Sequence, residues 1–430
     1  MSKTKTHRTA PQISLPCSSN IAQFTLSNGI HVYSYENFAS PAIVISGYLI
    51  NGARDEAREK AGLAGFTADC LMRGAEHYTY EQLFEQTEAI GANVSVSAGV
   101  HTTGFYAKSL AEDMPLMFDM LSDVIRRPTF PEAELEKERN EWLTSLEERT
   151  NSTRAMAGMA FGELAYPEGH PYHYSSDGYP ETARAITRDD VVNFHRSHYS
   201  PRDMVVCVVG AIHAGEARAR AEAAFGDWQA ERPARVELPP VPKINGRVSR
   251  HIPMQGKSQT NLIWGFPGPS RLEPDWTHCV IMNSILGQFG MYGRLGESVR
   301  KEEGLVYYIG SSFQGGPGPG SWQVYAGTNP QTVDRVVDIS LKEVRRIQQR
   351  KVTAEELSDN QSYYIGVLPL QMETNEGMAS QIMNMARYNL GFDYLLQYPD
   401  MIRAITVNDI RAAAQKWLDT ENFVLTSAGS

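Results

Sequence analysis

Two sets of residues in this chain have types and spacings that bear on chemistry. In the stretch Ala61-Gly-Leu-Ala-Gly-Phe-Thr-Ala-Asp-Cys-Leu-Met-Arg-Gly74, residues Gly65, Ala68 and Asp69 fall at i, i+3 and i+4 and share one helical face. Two imidazoles one turn apart on such a face would grip a zinc ion, and a glutamate beside the second would activate the bound water. Asp69 is the only ligand-type side chain at those three positions, and a catalytic zinc needs three well-placed protein ligands. The second set is Arg300 and Tyr307, on either side of Gly304. A guanidinium offers fixed, always-charged donors and a phenol adds a donor on a stiff ring. Together they suit an oxygen on which negative charge develops. His195 and His198 lie at i, i+3 but have no third ligand nearby, so a solvated helix face is expected there. Gln314-Gly-Gly-Pro-Gly-Pro-Gly320 lacks the Lys and the following helix of a phosphate-cradling loop, and reads as a long, mobile hairpin turn.

The elements that must position these residues follow from periodicity. Leu63, Phe66, Cys70 and Leu71 recur at helical spacing, which predicts a short helix under Gly65 and Asp69. Residues 24–35 alternate around Asn28-Gly29, a strong hairpin signal. Strands are expected over 42–50, 94–100, 102–109 and 204–209, and helices over 80–90, 114–125, 131–148, 189–198 and 214–228. Residues 229–249 carry Pro233, Pro239, Pro240 and Pro242 among charges, as an inter-domain linker does. Beyond it the order repeats, with strands at 260–266, 305–313, 322–327 and 423–427 and helices at 277–286, 297–303, 333–349 and 408–417. The division expected is an arm over 1–20, a first domain over 21–228, a linker over 229–249 and a second domain over 250–430. Helices mixed with hairpins, without regular alternation, imply α+β layers with mainly antiparallel sheets.

The frame around Gly65, Ala68 and Asp69, with Ala-Gly-Leu-Ala before it and Arg-Gly after it, resembles the pitrilysin/insulinase and mitochondrial-processing-peptidase family. Active members carry H-x-x-E-H on this helix. Aligned without a gap, Gly65 stands for the first His, Ala68 for the Glu and Asp69 for the second His. Counting on by the family's spacing puts its third ligand at Ser145, six places after the Arg of the matching run Glu136-Lys-Glu-Arg139. Glu141 and Glu148, one turn to either side of Ser145, keep a carboxylate near that position. No catalytic or metal-ligating residue is therefore assigned in this chain, and no cofactor. Gly169-His-Pro-Tyr172 and His198-Tyr-Ser-Pro201 also match the family frame, and residues 91–98 correspond to the edge strand that receives substrate in active relatives.

In the second domain, Arg300 and Tyr307 match the family's L-R-E-x-x-G-L-x-Y element, whose Arg and Tyr contact bound peptide. The resemblance implies two homologous domains, each a mainly antiparallel sheet with helices packed on one face, arranged as half a clamshell. It implies the non-catalytic subunit of a heteromeric zinc metalloendopeptidase, with a homologous partner that holds the zinc and an unfolded peptide enclosed between them. The alternative it implies is a structural or binding protein of the same fold with no part in proteolysis.

Composition sets outer bounds. With 40 Lys and Arg against 50 Asp and Glu, the net charge of −10 argues against wholesale binding of nucleic acid or anionic membrane. No apolar run is long enough to span a bilayer. Four dispersed cysteines predict reduced thiols and a cytoplasmic protein, or a periplasmic one if a leader has been removed.

Overall fold

The structure is a computed structural model and describes residues 14–235, 237–288 and 292–430. The first half runs β1 (Ile21–Thr25), β2 (His31–Glu36), β3 (Ala42–Leu49), α1 (Leu63–Leu71), α2 (Tyr80–Ala89), β4 (Asn93–Ala98) and β5 (Thr103–Leu110). It continues with α3 (Met114–Arg126), α4 (Glu132–Thr150), α5 (Thr153–Ala165), α6 (Pro180–Ala185), α7 (Arg188–His198), β6 (Val205–Gly210) and α8 (Ala214–Phe225). The second half runs β7 (Arg247–Pro253), β8 (Thr260–Pro267), α9 (Trp276–Asn283), β9 (Val306–Phe313), β10 (Ser321–Thr328) and α10 (Val333–Gln349). It ends with α11 (Ala354–Gln371), α12 (Asn375–Arg387), α13 (Tyr394–Ala404), α14 (Val407–Trp417) and β11 (Phe423–Gly429).

The duplication expected from the element order is visible in the sheets. One has the order β1-β2-β6-β3-β5-β4, the other β7-β11-β8-β10-β9. In each, a single parallel pair, β2 with β6 and β7 with β11, sits in an otherwise antiparallel sheet. Even a cap is repeated. Thr187 and Asp190 close a capping box on α7, and Thr406 and Asp409 close the same box on α14. The continuous apolar run of β6, buried at every residue, marks it as central and covered on both faces.

Period-2 alternation along β3 sorts its side chains between those two faces. Ile43 and Ile45 face the large first core, where Phe66, Leu71, Met117, Phe118 and Phe225 also pack. Val44 faces the opposite way, into a cluster with Cys207 and Val209 of β6 and with Met378, Ile382 and Met385 of α12. The exchange is reciprocal: Ala157, Phe161 and Ala165 of α5, from the first half, cover Ile263, Val424 and Ala428 of the second sheet. Each sheet therefore carries its own helices on one face and a helix of the other half on the second. Fully burying one large apolar side chain contributes about 1.5–3 kcal/mol, so these crossed helices tie the halves together firmly.

Residues 1–13 of the expected arm lie outside the described residues, and the rest of that arm is not loose. Cys17 is buried, Tyr35 donates from its hydroxyl to the Ser14 carbonyl, and the Ser18 amide donates to Asp393 Oδ1 of the second half. The expected linker is irregular until β7 begins at Arg247. The Gly/Pro-rich turn is also seated rather than free. It joins β9 to β10, Tyr166 donates to the Pro319 carbonyl, and a Cβ on Gly318 would lie 2.3 Å from Leu238 and 2.5 Å from the Tyr172 hydroxyl.

Candidate functional site

Helix α1 is fixed from both ends. Glu56, in the preceding loop, accepts from the amides of Gly62 and Ala64 at 2.8 Å each, satisfying two donors that the first turn leaves open. Gly62 has φ +93, and a Cβ there would come within 2.5 Å of the Trp142 ring, so only glycine fits. Trp142 stacks on Phe66 at 5.0 Å, and its indole donates to the Asp177 carbonyl. Arg139 reaches the other partners of this interface, with its guanidinium 5.2 Å from the Phe66 ring. The family-like frame of α1 against α4 is thus well built, and its ligand positions can be read directly.

Those positions are not equivalent. Gly65 has open space, since a Cβ would find only the Ser176 carbonyl, at 3.9 Å. Ala68 has no exposed surface and belongs to the first core. Ser145 is exposed on α4. Asp69 opens on a cleft of about 310 Å³ whose walls include Arg73, Tyr80, Phe84 and Glu138 and the edge strand residues Val94 and Val96. Its surface area counts as exposed, yet the surrounding walls push its carboxyl up to about 6. Burial is the main cause, then the Glu138 charge, with Arg73 opposing both. The upward direction follows from the enclosing walls and the second carboxylate.

Across this cleft lies an ion pair that sequence reading missed. Arg73 donates from Nε to Glu138, at 2.5 Å, and from Nη2 to Glu141, at 2.7 Å, while its guanidinium rests 4.8 Å from the Tyr80 ring. The Arg73 and Glu138 side chains are only 11% and 14% exposed. The signal was the Glu138–Glu141 spacing on α4, one helical turn opening toward the end of α1. Of the two carboxylates flanking Ser145, Glu141 joins this network, whereas Glu148 is exposed. Where the family frame would set a cation among ligands, this chain sets its own guanidinium among carboxylates.

The second set comes together as expected. Arg300 lies in a π-helical segment, Gly296–Glu302, and Gly304 follows with φ +64, the left-handed conformation that turns the chain into β9. Tyr307, on the edge strand β9, is 77% exposed, and the Arg300 guanidinium sits 5.2 Å from its ring centroid. No carboxylate pairs with Arg300 among the described residues. The two side chains therefore lie together, with Tyr307 open to solvent and Arg300 half-buried. Strand β4 is likewise an edge, as expected of residues 91–98.

The histidines have structural partners. His195 bonds the Ile125 carbonyl at 2.8 Å, and burial holds its imidazole below the usual range. His198 bonds the Phe194 carbonyl one turn back at 3.2 Å. Among the described residues, Glu76, His77 and Asp123 alone approach metal-ligand spacing, and the Arg127 guanidinium already bonds both carboxylates. All four cysteines are buried as free thiols.

Two family models cover most of the chain. The one described as insulinase (peptidase family M16) matches residues 34–168, and the one described as peptidase M16 inactive domain matches residues 185–363. The chain belongs to the M16 peptidase family. Among similar M16 proteins, an uncharacterized zinc protease of Streptomyces coelicolor is 26% identical, over 85% of this chain and 80% of its own length. The uncharacterized zinc protease YmxG of Bacillus subtilis is 23% identical, over 84% and 87%. In fold, the chain is similar to a peptidase M16 inactive domain from Pseudomonas fluorescens, with a TM-score of 0.89, 23% identity and coverage of 95% and 98%. It is also similar to a chain of complex III2 from Candida albicans, with a TM-score of 0.78, 15% identity and coverage of 95% and 96%. No described helix is long and apolar enough to cross a membrane.

Proposed function

We propose that this M16 chain is the non-catalytic subunit of a two-chain zinc metalloendopeptidase. A homologous partner with an intact zinc motif supplies the metal and the base, and this chain supplies a chamber wall and a substrate contact. Unfolded peptide enclosed between the two subunits is the substrate. On its own the chain hydrolyses nothing, because Gly65, Ala68 and Ser145 cannot ligate or abstract a proton and Asp69 stands alone. The observation that carries this reading is the Arg300–Tyr307 pair: Tyr307 stands exposed on an edge strand, and the half-buried Arg300 places its guanidinium 5.2 Å from the ring centroid. A scaffold has no use for such a pair, whereas a peptide carbonyl finds both donors at once. The complex is expected in the cytoplasm.

The second reading, a scaffold without proteolysis, has in its favour the fold shared with the complex III2 chain. The test separates the two. Arg300→Ala and Tyr307→Phe should leave folding and assembly intact. Each lost charge-assisted bond to a peptide oxygen should lower kcat/KM of the reconstituted pair roughly ten- to a hundred-fold. Arg300→Lys should recover only part of the loss, since an ammonium lacks the guanidinium fork. Unchanged kcat/KM in both variants removes the substrate-contact role, and a pair with no hydrolysis at all leaves the scaffold.

A further inference from the structure

On the face of the first sheet turned away from α1, a cleft of about 490 Å³ opens between β3, β5, α12 and the loop after β8. Both halves of the chain contribute to it. Arg271 comes from the loop, and Arg387 and Tyr388 from the end of α12. The two guanidinium groups lie against the same ring, with Arg271 at 4.3 Å and Arg387 at 5.7 Å from the Tyr388 centroid. Among the described residues neither has a carboxylate within ion-pair distance, and neither side chain has a hydrogen-bond acceptor. Arg387 Nε is shut off from solvent and without a partner. The carboxylate lining the cleft, Glu376, is already engaged by Lys108 and by the Tyr106 hydroxyl, at 3.5 Å.

That arrangement is unusual in a protein with 50 acidic residues. A buried N–H left without an acceptor is costly, more so when the group is charged, and this chain has carboxylates enough to have satisfied it. Beyond the cleft, burial and then the charges of Arg235, Arg54 and Arg387 hold the His101 imidazole at about 3, with Arg54 and Arg235 both paired to Asp55. Ser46 and Asn384 line the same cleft with neutral donors. The Arg271 amide donates to the Gly316 carbonyl, so its backbone is pinned to the seated Gly/Pro turn and its side chain is delivered from a fixed point. Two guanidinium forks facing one space match the geometry of an oxyanion better than that of any neutral ligand.

We infer that this cleft binds an oxyanion, a phosphate or a carboxylate group, held by Arg271 and Arg387 over the shared plate of Tyr388. The site lies on the opposite side of the sheet from the Asp69 cleft and does not depend on a peptidase role for the chain. Phosphate on a small ligand and the free carboxylate of a chain end present the same chemistry to it.

The test uses the full chain. Inorganic phosphate is titrated by calorimetry and thermal shift against chloride at equal ionic strength. In parallel, a short peptide with a free C-terminal carboxylate is compared with its amide. Saturable stabilisation by phosphate, or tighter binding of the acid than of the amide, supports the site and tells which source it prefers. Arg387→Gln and Arg271→Gln should each weaken that binding about ten- to a hundred-fold, with Arg387→Lys intermediate. Phosphate acting no differently from chloride, together with equal binding of acid and amide, overturns the proposal. So does wild-type affinity in both Gln variants. If Arg387→Gln fails to fold, Arg271→Gln and the wild-type comparisons still decide it.

Discussion

The guanidinium that occupies the old ligand frame makes a demanding prediction. Arg73→Met keeps most of the aliphatic stem and removes the guanidinium that lies on Tyr80 and pairs with Glu138 and Glu141. The Glu141 arm is 65% exposed, so its loss should cost under about 1 kcal/mol. The Glu138 arm is different. Its side chain is 14% exposed and faces Asp69, whose carboxyl it already pushes upward. Leaving a fully buried carboxylate without its cation costs about 3–5 kcal/mol, and the open side of this cleft reduces that to about 2–3. Together the two arms give a loss of about 2–4 kcal/mol near neutral pH.

The pH dependence carries the sharper sign. The folded carboxyl of Asp69 sits at about 6, above the value of an unfolded aspartate, so between the two the native state holds a proton that the unfolded chain has released. Stability contributed by that proton is present at low pH and is lost as pH rises through the folded value. Removing Arg73 removes the opposing charge and widens the window. The deficit of Arg73→Met should therefore be larger at about pH 8 than at about pH 5, and adding Glu138→Gln should recover at least half of it. Urea unfolding followed by tryptophan fluorescence is a suitable assay, since Trp142 stacks at this same interface. An equal loss at both pH values, or no recovery in the double variant, would refute the counter-ion role of Arg73.

Other outcomes are expected from the same structure. Elemental analysis of the isolated, chelator-free chain should find no stoichiometric zinc, and a fluorogenic peptide should remain uncut; one tight zinc with chelator-sensitive cleavage would contradict this. Gly65→His with Asp69→His should be tolerated, because replacing glycine in a helix relieves about 0.5–1 kcal/mol and the Cβ at Gly65 has room. Adding Ala68→Glu to that pair should cost a further 1–3 kcal/mol or so by overpacking a site with no exposed surface, read as a drop in melting temperature. Asp69→Asn should raise the melting temperature near pH 8 and leave it unchanged near pH 4, where the native carboxyl is already protonated; a shift of equal size at both would refute the raised pKa. Gly318→Leu should loosen the seat of the Gly/Pro turn on the first half, seen as faster amide exchange across residues 314–320.

How far the sequence could be read depended on what kind of signal each feature leaves. The β6 run, the hairpin at Asn28-Gly29 and the long amphipathic α3 and α10 announce themselves through periodicity and turn chemistry, and all four are present. Helices α5 and α12 do not, and neither entered the sequence reading. The contact face of α5 includes Ala157 and Ala165 beside Phe161, close against the second sheet, whereas α12 offers Met378, Ile382 and Met385 to the first. Small residues at a close helix–sheet contact give weak contrast between faces, so α5 left little trace in the sequence.

The candidate site divides in the same way. Gly304 and the strand after it fix Arg300 beside Tyr307 through local geometry, and local geometry is legible in sequence. The Arg73–Glu138 pair joins residues far apart along the chain, and nothing in either segment alone requires the other. Yet the substitution has a physical logic once both are seen. A frame shaped to hold a dication among carboxylates and imidazoles would, with the imidazoles gone, leave carboxylates facing an enclosed cleft without a counter-charge. A guanidinium from the end of α1 supplies that charge and ties α1 to α4, the connection a metal ligated from both helices would have made. The tie between α1 and α4 is thus made by an ion pair in a chain whose ligand positions hold Gly65, Ala68, Asp69 and Ser145.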